Sequence, residues 1–356
     1  MRRRKYLILA PGEFAENAKT AQGVIRYGGD ETVAVVDPTL AGKRVRDVAP
    51  HLQSDAPIVA SVAEGLNHGP TALLIGTAPQ GGKLPPGWRA EILAAIAARL
   101  EIVSGLHDLL GGDVEFAAAA RAAGTAIWDV REPPEVPLFG GAAYDVKAPV
   151  LLLVGNDCAV GKMTVAIELC RAAAERGSRA TFVPTGQTGI MIAGWGIAID
   201  RVIADFAAGA TEQLVLHAAE DGPDLIVVEG QGAINHPAYA PVTLALMYGA
   251  APDALVLVCE VPHERIPTFG TPVLGYRRLI DLHEALLATV KPARVVGIAL
   301  NTRTIGDDGA ARKEIERARA ETGLPADDLV RFGAASFYDA IASSITKRRP
   351  LSEASP

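Results

Sequence analysis

Ten residues near the middle of the chain, Gly155-Asn156-Asp157-Cys158-Ala159-Val160-Gly161-Lys162-Met163-Thr164, combine glycines, a lysine and a hydroxyl in a spacing suited to gripping phosphate. They follow the most apolar run of the sequence, Pro149–Val154, and open a helical pattern over Lys162–Arg176. Strand, loop and helix in that order are the context a P-loop requires. Glycines let successive backbone N–H groups face one anion, and the helix N-terminus adds partial positive charge. Lys162 supplies a full one. Two departures from GxxxxGK[ST] stand out: Asn156 occupies the place of the first glycine, with Gly155 one position earlier, and Met163 takes the hydroxyl position. That hydroxyl normally ligates Mg²⁺, which methionine cannot do. Thr164 offers one only if the helix start shifts. Phosphate binding without efficient Mg-ATP chemistry is the expectation. Cys158 at a helix N-terminus invites a nucleophile reading, but no histidine lies beside it in sequence, and a small buried loop residue is the preferred role.

Other strand ends supply further candidates. Asp224–Glu229 starts and ends in carboxylates and runs into Gly230-Gln231-Gly232. In open α/β sheets the active crevice lies beyond the carboxyl ends of the strands, so Glu229 is expected beside the phosphate loop, as a general base, a metal-linked carboxylate or a cap of the glycine turn. Pro184–Gly189, with Gln187, Thr188 and Gly189, reads as an anion or amide pocket or as a flexible loop. His236, close after Glu229 and followed by Tyr239, is a proton acceptor or a structural hydrogen-bonder. Asp200, Arg201 and Asp205 share one predicted helix start, where Arg201 pairs with a substrate carboxylate or forms a surface ion pair. His263, Glu264 and Arg265 follow the strand ending at Cys259 and could line the same crevice.

The elements that must position these residues alternate as βα units throughout. In the first half, strands are predicted at Lys5–Ala10, Thr32–Val36, Ala72–Ile75, Ile102–Val103 and Ala126–Asp129, with helices over Glu13–Tyr27, Trp88–Arg99 and Asp113–Ala123. Asp37 sits where a dinucleotide fold places its ribose-binding acid, but residues 10–14 (APGEF) are not GxGxxG, and a strand-ending turn is preferred. Residues 131–147, rich in Pro and Gly, read as a linker or an extended strap between domains at 1–130 and 148–350. The second half continues with strands at Ala180–Val183, Leu225–Val228, Ala254–Val258 and Val295–Ala299. Its further helices are Asp200–Ala218, Arg277–Val290 and Ala310–Thr322. The fold class is therefore α/β with doubly wound parallel sheets, and the tail from Lys347 is read as loose.

Composition bounds the function. The 356 residues carry a net charge of -7 and only 5% aromatics, so the electrostatic footprint and stacking platform of a nucleic-acid binder are missing. The basic run Arg2–Lys5 reads as a solvated flank of the first strand. No window approaches a membrane span, and Tyr6–Ala10 is too short for a signal peptide. Three widely spaced cysteines without CxxC imply neither disulfides nor a zinc site. A cytoplasmic enzyme acting on a small molecule, with no metal and assembled as a homo-oligomer, is the expectation.

The loop GNDCAVGKMT is similar to the GTDTxVGKT loop of dethiobiotin synthetases, and VVEGQG to their VEGAGG segment. Those two motifs together with the run GQTGIMIAGWGIAIDRVIADF resemble a family long catalogued as a domain of unknown function, over nearly the whole chain. The resemblance implies a Rossmann-like N-terminal domain and a P-loop C-terminal domain. The family includes D-glutamate N-acetyltransferases of the DgcN type, so it further implies acetyl transfer from acetyl-CoA to the amine of D-glutamate, the product passing to an enolase-type racemase. Coenzyme A carries a pyrophosphate and a 3′-phosphate that a P-loop can anchor without Mg²⁺-dependent hydrolysis, which accommodates Met163. Such a transfer needs a base (Glu229 or His236), oxyanion donors (the Gly186–Gly189 backbone) and cations for the carboxylates (Arg201, Arg265 or Arg303). The dethiobiotin-synthetase likeness implies the alternative, a Mg-ATP-dependent ligase or kinase acting on a small carboxylate.

Overall fold

Runs of β-branched and leucine residues flanked by turn formers become strands throughout this chain, and each is followed by a helix or turn that returns to the same end of a sheet. The computed structural model describes residues 3–77, 82–267 and 269–345; the tail from Lys347 and the start of the basic run lie outside them. In order, the elements are β1 (Lys5–Leu9), α1 (Lys19–Tyr27), β2 (Glu31–Val36), α2 (Val45–Val48), β3 (Ile58–Val59), α3 (Val62–Gly65), β4 (Ala72–Ile75), α4 (Arg89–Ala97), β5 (Glu101–Ser104), α5 (Val114–Ala123) and β6 (Ile127–Asp129). There follow β7 (Val150–Gly155), α6 (Lys162–Glu175), β8 (Ala180–Val183), α7 (Gln187–Ala193), α8 (Ala204–Ala219), β9 (Leu225–Val228) and α9 (Ala240–Gly249). The chain continues through β10 (Ala254–Glu260), α10 (Tyr276–Leu287), β11 (Arg294–Asn301), α11 (Asp308–Thr322), β12 (Ala326–Asp327) and α12 (Ala335–Ala342). None of the helices among the described residues is long and apolar enough to cross a membrane.

Two parallel six-stranded sheets result, ordered β3-β2-β1-β4-β5-β6 and β12-β11-β10-β7-β9-β8. The chain forms two compact units, one of residues 1–133 with 190–201 and the other of residues 134–189 with 202–356. A division at residues 131–147 alone therefore misplaces Ile190–Arg201, which belongs with the first unit.

In the first unit, alternate residues of β1 face opposite cores. Tyr6 and Ile8 pack with Phe14, Val24, Val35 and Ile58, and this cluster also takes in Ile190, Met191 and Ala198. Leu7 and Leu9 pack with Ile92, Ile96 and Phe116 on the other face. Helix α1 begins at Lys19 rather than Glu13, because Asp37 captures the preceding loop. Its carboxylate accepts from the N–H groups of Gly12 at 3.0 Å and Phe14 at 3.3 Å, and from the Thr39 hydroxyl at 2.7 Å. Asp37 is a strand-ending turn residue, as its pairing with Pro38 suggests.

In the second unit all six residues of β7 are buried, and Leu151 and Leu153 join Val165 and Leu169 of α6 and Phe337 and Ile341 of α12. Each such side chain contributes about 1.5–3 kcal/mol on burial. The start of β7 is pinned by charge: Asp253 accepts from the Val150 N–H at 2.8 Å and from the Lys291 ammonium at 2.6 Å, and both side chains are fully buried. Residues 134–146 form a strap on α8. Glu212 accepts from Gly140 N–H at 2.7 Å and Ala143 N–H at 3.1 Å, and a Cβ on Gly209 would lie 1.9 Å from the Pro137 carbonyl oxygen. The helix predicted from Asp200 starts instead at Ala204, since Ile203 is non-helical and 199–201 is a short 3-10 turn of the first unit.

Candidate functional site

The phosphate loop leaves the C-terminal end of β7, central in its sheet, and closes on α6 at Lys162. Two residues within it take left-handed backbone conformations, Ala159 at φ 57° and Gly161 at φ 108°. Such alternation turns backbone N–H groups inward, into a concave anion-binding nest. Asn156, in place of a glycine, exchanges hydrogen bonds with the Glu260 backbone at 3.2 Å each way and so ties the loop to the end of β10. From β11, Asn301 donates its amide to the Val160 carbonyl at 3.0 Å.

Lys162 is buried, and its ammonium donates to the carbonyl oxygens of Asp157 and Gly232, each at 2.8 Å. Burial lowers it to about 8 from an ordinary 10.5. The approach of Gly232 depends on the glycines around it. A Cβ on Gly230 would lie 1.6 Å from the Leu153 carbonyl oxygen and 2.9 Å from Lys162 Cδ, and Gly232 itself has φ 63°. The VVEGQG segment thus meets the phosphate loop at backbone distance, which side chains would prevent.

Glu229 also lies at this strand end, but its carboxylate is engaged. Oε2 accepts from the N–H groups of Thr185 at 2.9 Å and Gly186 at 3.1 Å, while the Thr185 hydroxyl donates to the Glu229 carbonyl at 2.9 Å. The Gln231 amide donates to the Thr185 carbonyl as well. Of the two readings of the segment after β8, these bonds exclude the flexible loop: the segment is pinned, with Gln187, Thr188 and Gly189 forming the first turn of α7. The Gly186 N–H points at a carboxylate, so it is not a free oxyanion donor. A Cβ on Gly189 would lie 2.5 Å from Glu229 Oε2, so glycine is required there too.

Asp157 carries two histidines from distant parts of the sequence. Its Oδ2 accepts from His263 Nε2 at 2.7 Å, and its Oδ1 lies 3.8 Å from His236 Nε2 and accepts from the Cys158 N–H at 2.6 Å. His236 is itself fixed: Nδ1 accepts from the N–H groups of Ala238 at 3.1 Å and Tyr239 at 3.2 Å. A nitrogen that accepts two such bonds carries no proton, so the proton sits on Nε2. His236 Nε2 thus turns its proton toward Asp157 from 3.8 Å, outside hydrogen-bond reach, and of the two readings of this residue the geometry favours the structural hydrogen-bonder over the proton acceptor. Its ring stacks at 4.6 Å on Tyr239 and meets Phe269 edge-on at 5.4 Å, and both neighbours remain about half exposed, at 53% and 48%. Asn235 beside it has both carboxamide atoms shielded and without a hydrogen-bond partner among the described residues.

Asp157, Cys158 and His236 bring three potential metal ligands within 4.8 Å of one another, a grouping that sequence spacing does not announce. The wiring of His236 does not suit a cation, because its Nδ1 is closed by two backbone N–H groups and its Nε2 holds the proton. Burial pushes the Cys158 thiol up to about 11. That upward shift argues against the nucleophile reading of Cys158, because the thiolate is the reactive form. Met163 and Thr164 lie in the first turn of α6, both partly exposed.

Of the cations expected at substrate carboxylates, Arg303 is paired with Glu260 at 2.9 Å and Arg265 donates to the Gly270 carbonyl at 2.6 Å. Arg201 falls in the first unit. There, Arg131 pairs with Asp200 and donates to the Gly105 carbonyl at 2.7 Å.

A Rossmann-like α/β unit and a P-loop α/β unit with an occupied lysine and a pinned strand-end glutamate define the class. The chain belongs to the DUF1611 family. Its residues 38–133 match that family's N-terminal Rossmann-like domain of unknown function, and residues 137–338 its C-terminal P-loop domain. It is 40% identical over 282 residues to a protein of Tritonibacter scottomollicae named D-glutamate N-acetyltransferase, covering 77% of this chain and 82% of that protein. A Pseudoalteromonas protein of the same name is 37% identical over 275 residues, with the same coverage of 77% and 82%. The crystal structure of a DUF1611 family protein from Anabaena variabilis superposes with a TM-score of 0.91 at 37% identity, over 96% of this chain and 99% of that one.

Proposed function

We propose that the chain is an N-acetyltransferase that moves the acetyl group of acetyl-CoA to the amine of D-glutamate or a related amino acid. The reading is carried by the 40% and 37% identity to two proteins named for that activity on D-glutamate. Acetyl-CoA as donor is what the family resemblance implies, and the loop is compatible with it. Lys162 and the nest of Ala159 and Gly161 suit a pyrophosphate or the 3′-phosphate of coenzyme A. The half-exposed rings of Tyr239 and Phe269 offer flat apolar surface beside His236 for an adenine or a pantetheine arm. Met163 supplies no hydroxyl for Mg²⁺, which disfavours phosphoryl transfer at the same loop.

Thermal-shift measurements with acetyl-CoA and with Mg-ATP, followed by detection of N-acetylglutamate from each glutamate enantiomer, test this reading. Stabilisation by acetyl-CoA with product from the D-enantiomer is expected. Strong stabilisation by Mg-ATP with none by acetyl-CoA would overturn it in favour of a ligase or kinase.

A further inference from the structure

We propose that His263, oriented by Asp157, is the proton acceptor of the reaction, and that His236, whose Nε2 lies 3.8 Å from the other oxygen of the same carboxylate, takes up no proton. The inference rests on the acetyl-transfer reading above. Its basis is the opposite wiring of the two rings. His263 directs Nε2 to Asp157 Oδ2 at 2.7 Å, and its Nδ1 has no hydrogen-bond partner among the described residues. A histidine whose Nε2–H is held by a carboxylate presents Nδ1 as a lone pair, and the carboxylate stabilises the imidazolium that forms. His236 directs Nε2 toward Oδ1, but its Nδ1 is closed by the N–H groups of Ala238 and Tyr239. Protonation there would require breaking both bonds.

The other groups of the crevice are committed elsewhere. Glu229 holds the Thr185 and Gly186 N–H groups through Oε2. Lys162 is buried against two carbonyl oxygens, and the Cys158 thiol is partly buried beside Asp157. His263 is more open, its side chain 15% exposed against 5% for His236. The ionisable groups around the shared carboxylate are thus Cys158, Lys162, His236 and His263.

The proton balance assigns His263 two moments. The substrate ammonium first gives up one proton, through Nδ1, to solvent. The free amine attacks the thioester carbonyl, forming the C–N bond. Nδ1 takes the second nitrogen proton as the tetrahedral intermediate collapses, the C–S bond breaks, and the imidazolium returns that proton to the departing thiolate. The products are the amide and the free thiol, with one proton released overall and no metal or redox partner needed.

The test combines kinetics with long-range ¹H–¹⁵N spectra of the histidine rings in the full chain. His263→Ala should lower kcat about 100-fold or more, leave KM for acetyl-CoA within about threefold, and recover activity with added imidazole. On acidification the His263 ring should become an imidazolium while His236 Nδ1 stays unprotonated. Wild-type kcat in His263→Ala, a loss that imidazole leaves unchanged, or proton uptake at His236 Nδ1 in the folded protein overturns the proposal. If the wild-type chain forms no N-acetyl product from acetyl-CoA and D-glutamate, the acetyl-transfer reading fails and the catalytic role of His263 with it. The ring spectra separately decide which histidine accepts a proton.

Discussion

The Lys162 ammonium donates to the Gly232 carbonyl oxygen at 2.8 Å, so the phosphate loop and the segment after β9 share a charge as well as an end of the sheet. A bound phosphate must draw that ammonium away from the Gly232 and Asp157 carbonyls and replace two neutral acceptors with a charged one. Charge-assisted hydrogen bonds are the stronger kind. Lys162→Met is therefore expected to raise KM for the phosphate-bearing cosubstrate by about 10- to 100-fold, the equivalent of about 1.5–3 kcal/mol, and KM for the amino acid by much less. Steady-state kinetics in both substrates checks this, and equal increases would mean that the loop holds something else.

The same lysine gives a pH dependence of definite sign. Burial lowers it to about 8 from 10.5. Between those values the unfolded chain binds the extra proton, so this group's contribution to folding stability rises with pH across that window. Phosphate binding runs the other way, because it needs the ammonium. KM for the phosphate-bearing cosubstrate should climb above about pH 8, approaching tenfold per pH unit. A KM that stays flat up to about pH 9.5, against that expectation, would exclude Lys162 as the phosphate's partner.

Glu229→Gln separates anchor from base. The carboxamide oxygen can still accept from Thr185 and Gly186 but loses the charge assistance, a cost of about 1–2 kcal/mol. A lower denaturation midpoint with kcat reduced less than about tenfold is expected. An unchanged midpoint with a loss on the order of 100-fold or more would restore Glu229 as the proton acceptor.

Gly230→Ala places a methyl group 1.6 Å from the Leu153 carbonyl oxygen. Backbone atoms of a central strand cannot yield as a flexible side chain does, so a loss of at least about 2 kcal/mol is expected, read from urea unfolding. A midpoint within error of wild type would show that this turn relaxes freely.

Asn235→Ala should move stability and function apart. The carboxamide has no partner among the described residues, and removing an unsatisfied buried amide costs little or stabilises, within about 0.5 kcal/mol of neutral. If that amide exists to meet a ligand, KM for one substrate rises by about tenfold, as the loss of one good hydrogen bond implies. Unchanged kinetics would leave ordered water as its partner.

The phosphate loop, its flanking strand and helix, and the alternation of βα units were legible because each rests on local pattern: PVLLLV before, GK at the helix start, Lys162–Arg176 after. Helix α9 was not. Its sequence APVTLALMYG is apolar on every side, so it carries no helical periodicity, and Pro241 reads as a breaker although it sits in the first turn, where proline is tolerated. Strands β3 and β12 span two residues each, below any window that a pattern can fill. The proton on His236 depends on two backbone N–H groups, and the partnership of Asp157 with His263 spans 106 positions. Neither leaves a mark in residue spacing. Arg201 is read with the second domain because a charge at a helix start is a local signal; the unit it belongs to is decided by long-range packing of Ile190, Met191 and Ala198, which sequence pattern does not encode.

That excursion of Ile190–Arg201 makes the polypeptide pass from one unit to the other three times, after residues 133, 189 and 201. Each unit is consequently encoded by two separate stretches of the gene. A fragment ending in the strap would lack Ile190, Met191 and Ala198 from its own core, and one beginning there would carry them without that core to cover them. Ribosomal synthesis must reach residue 201 before the first unit can be complete.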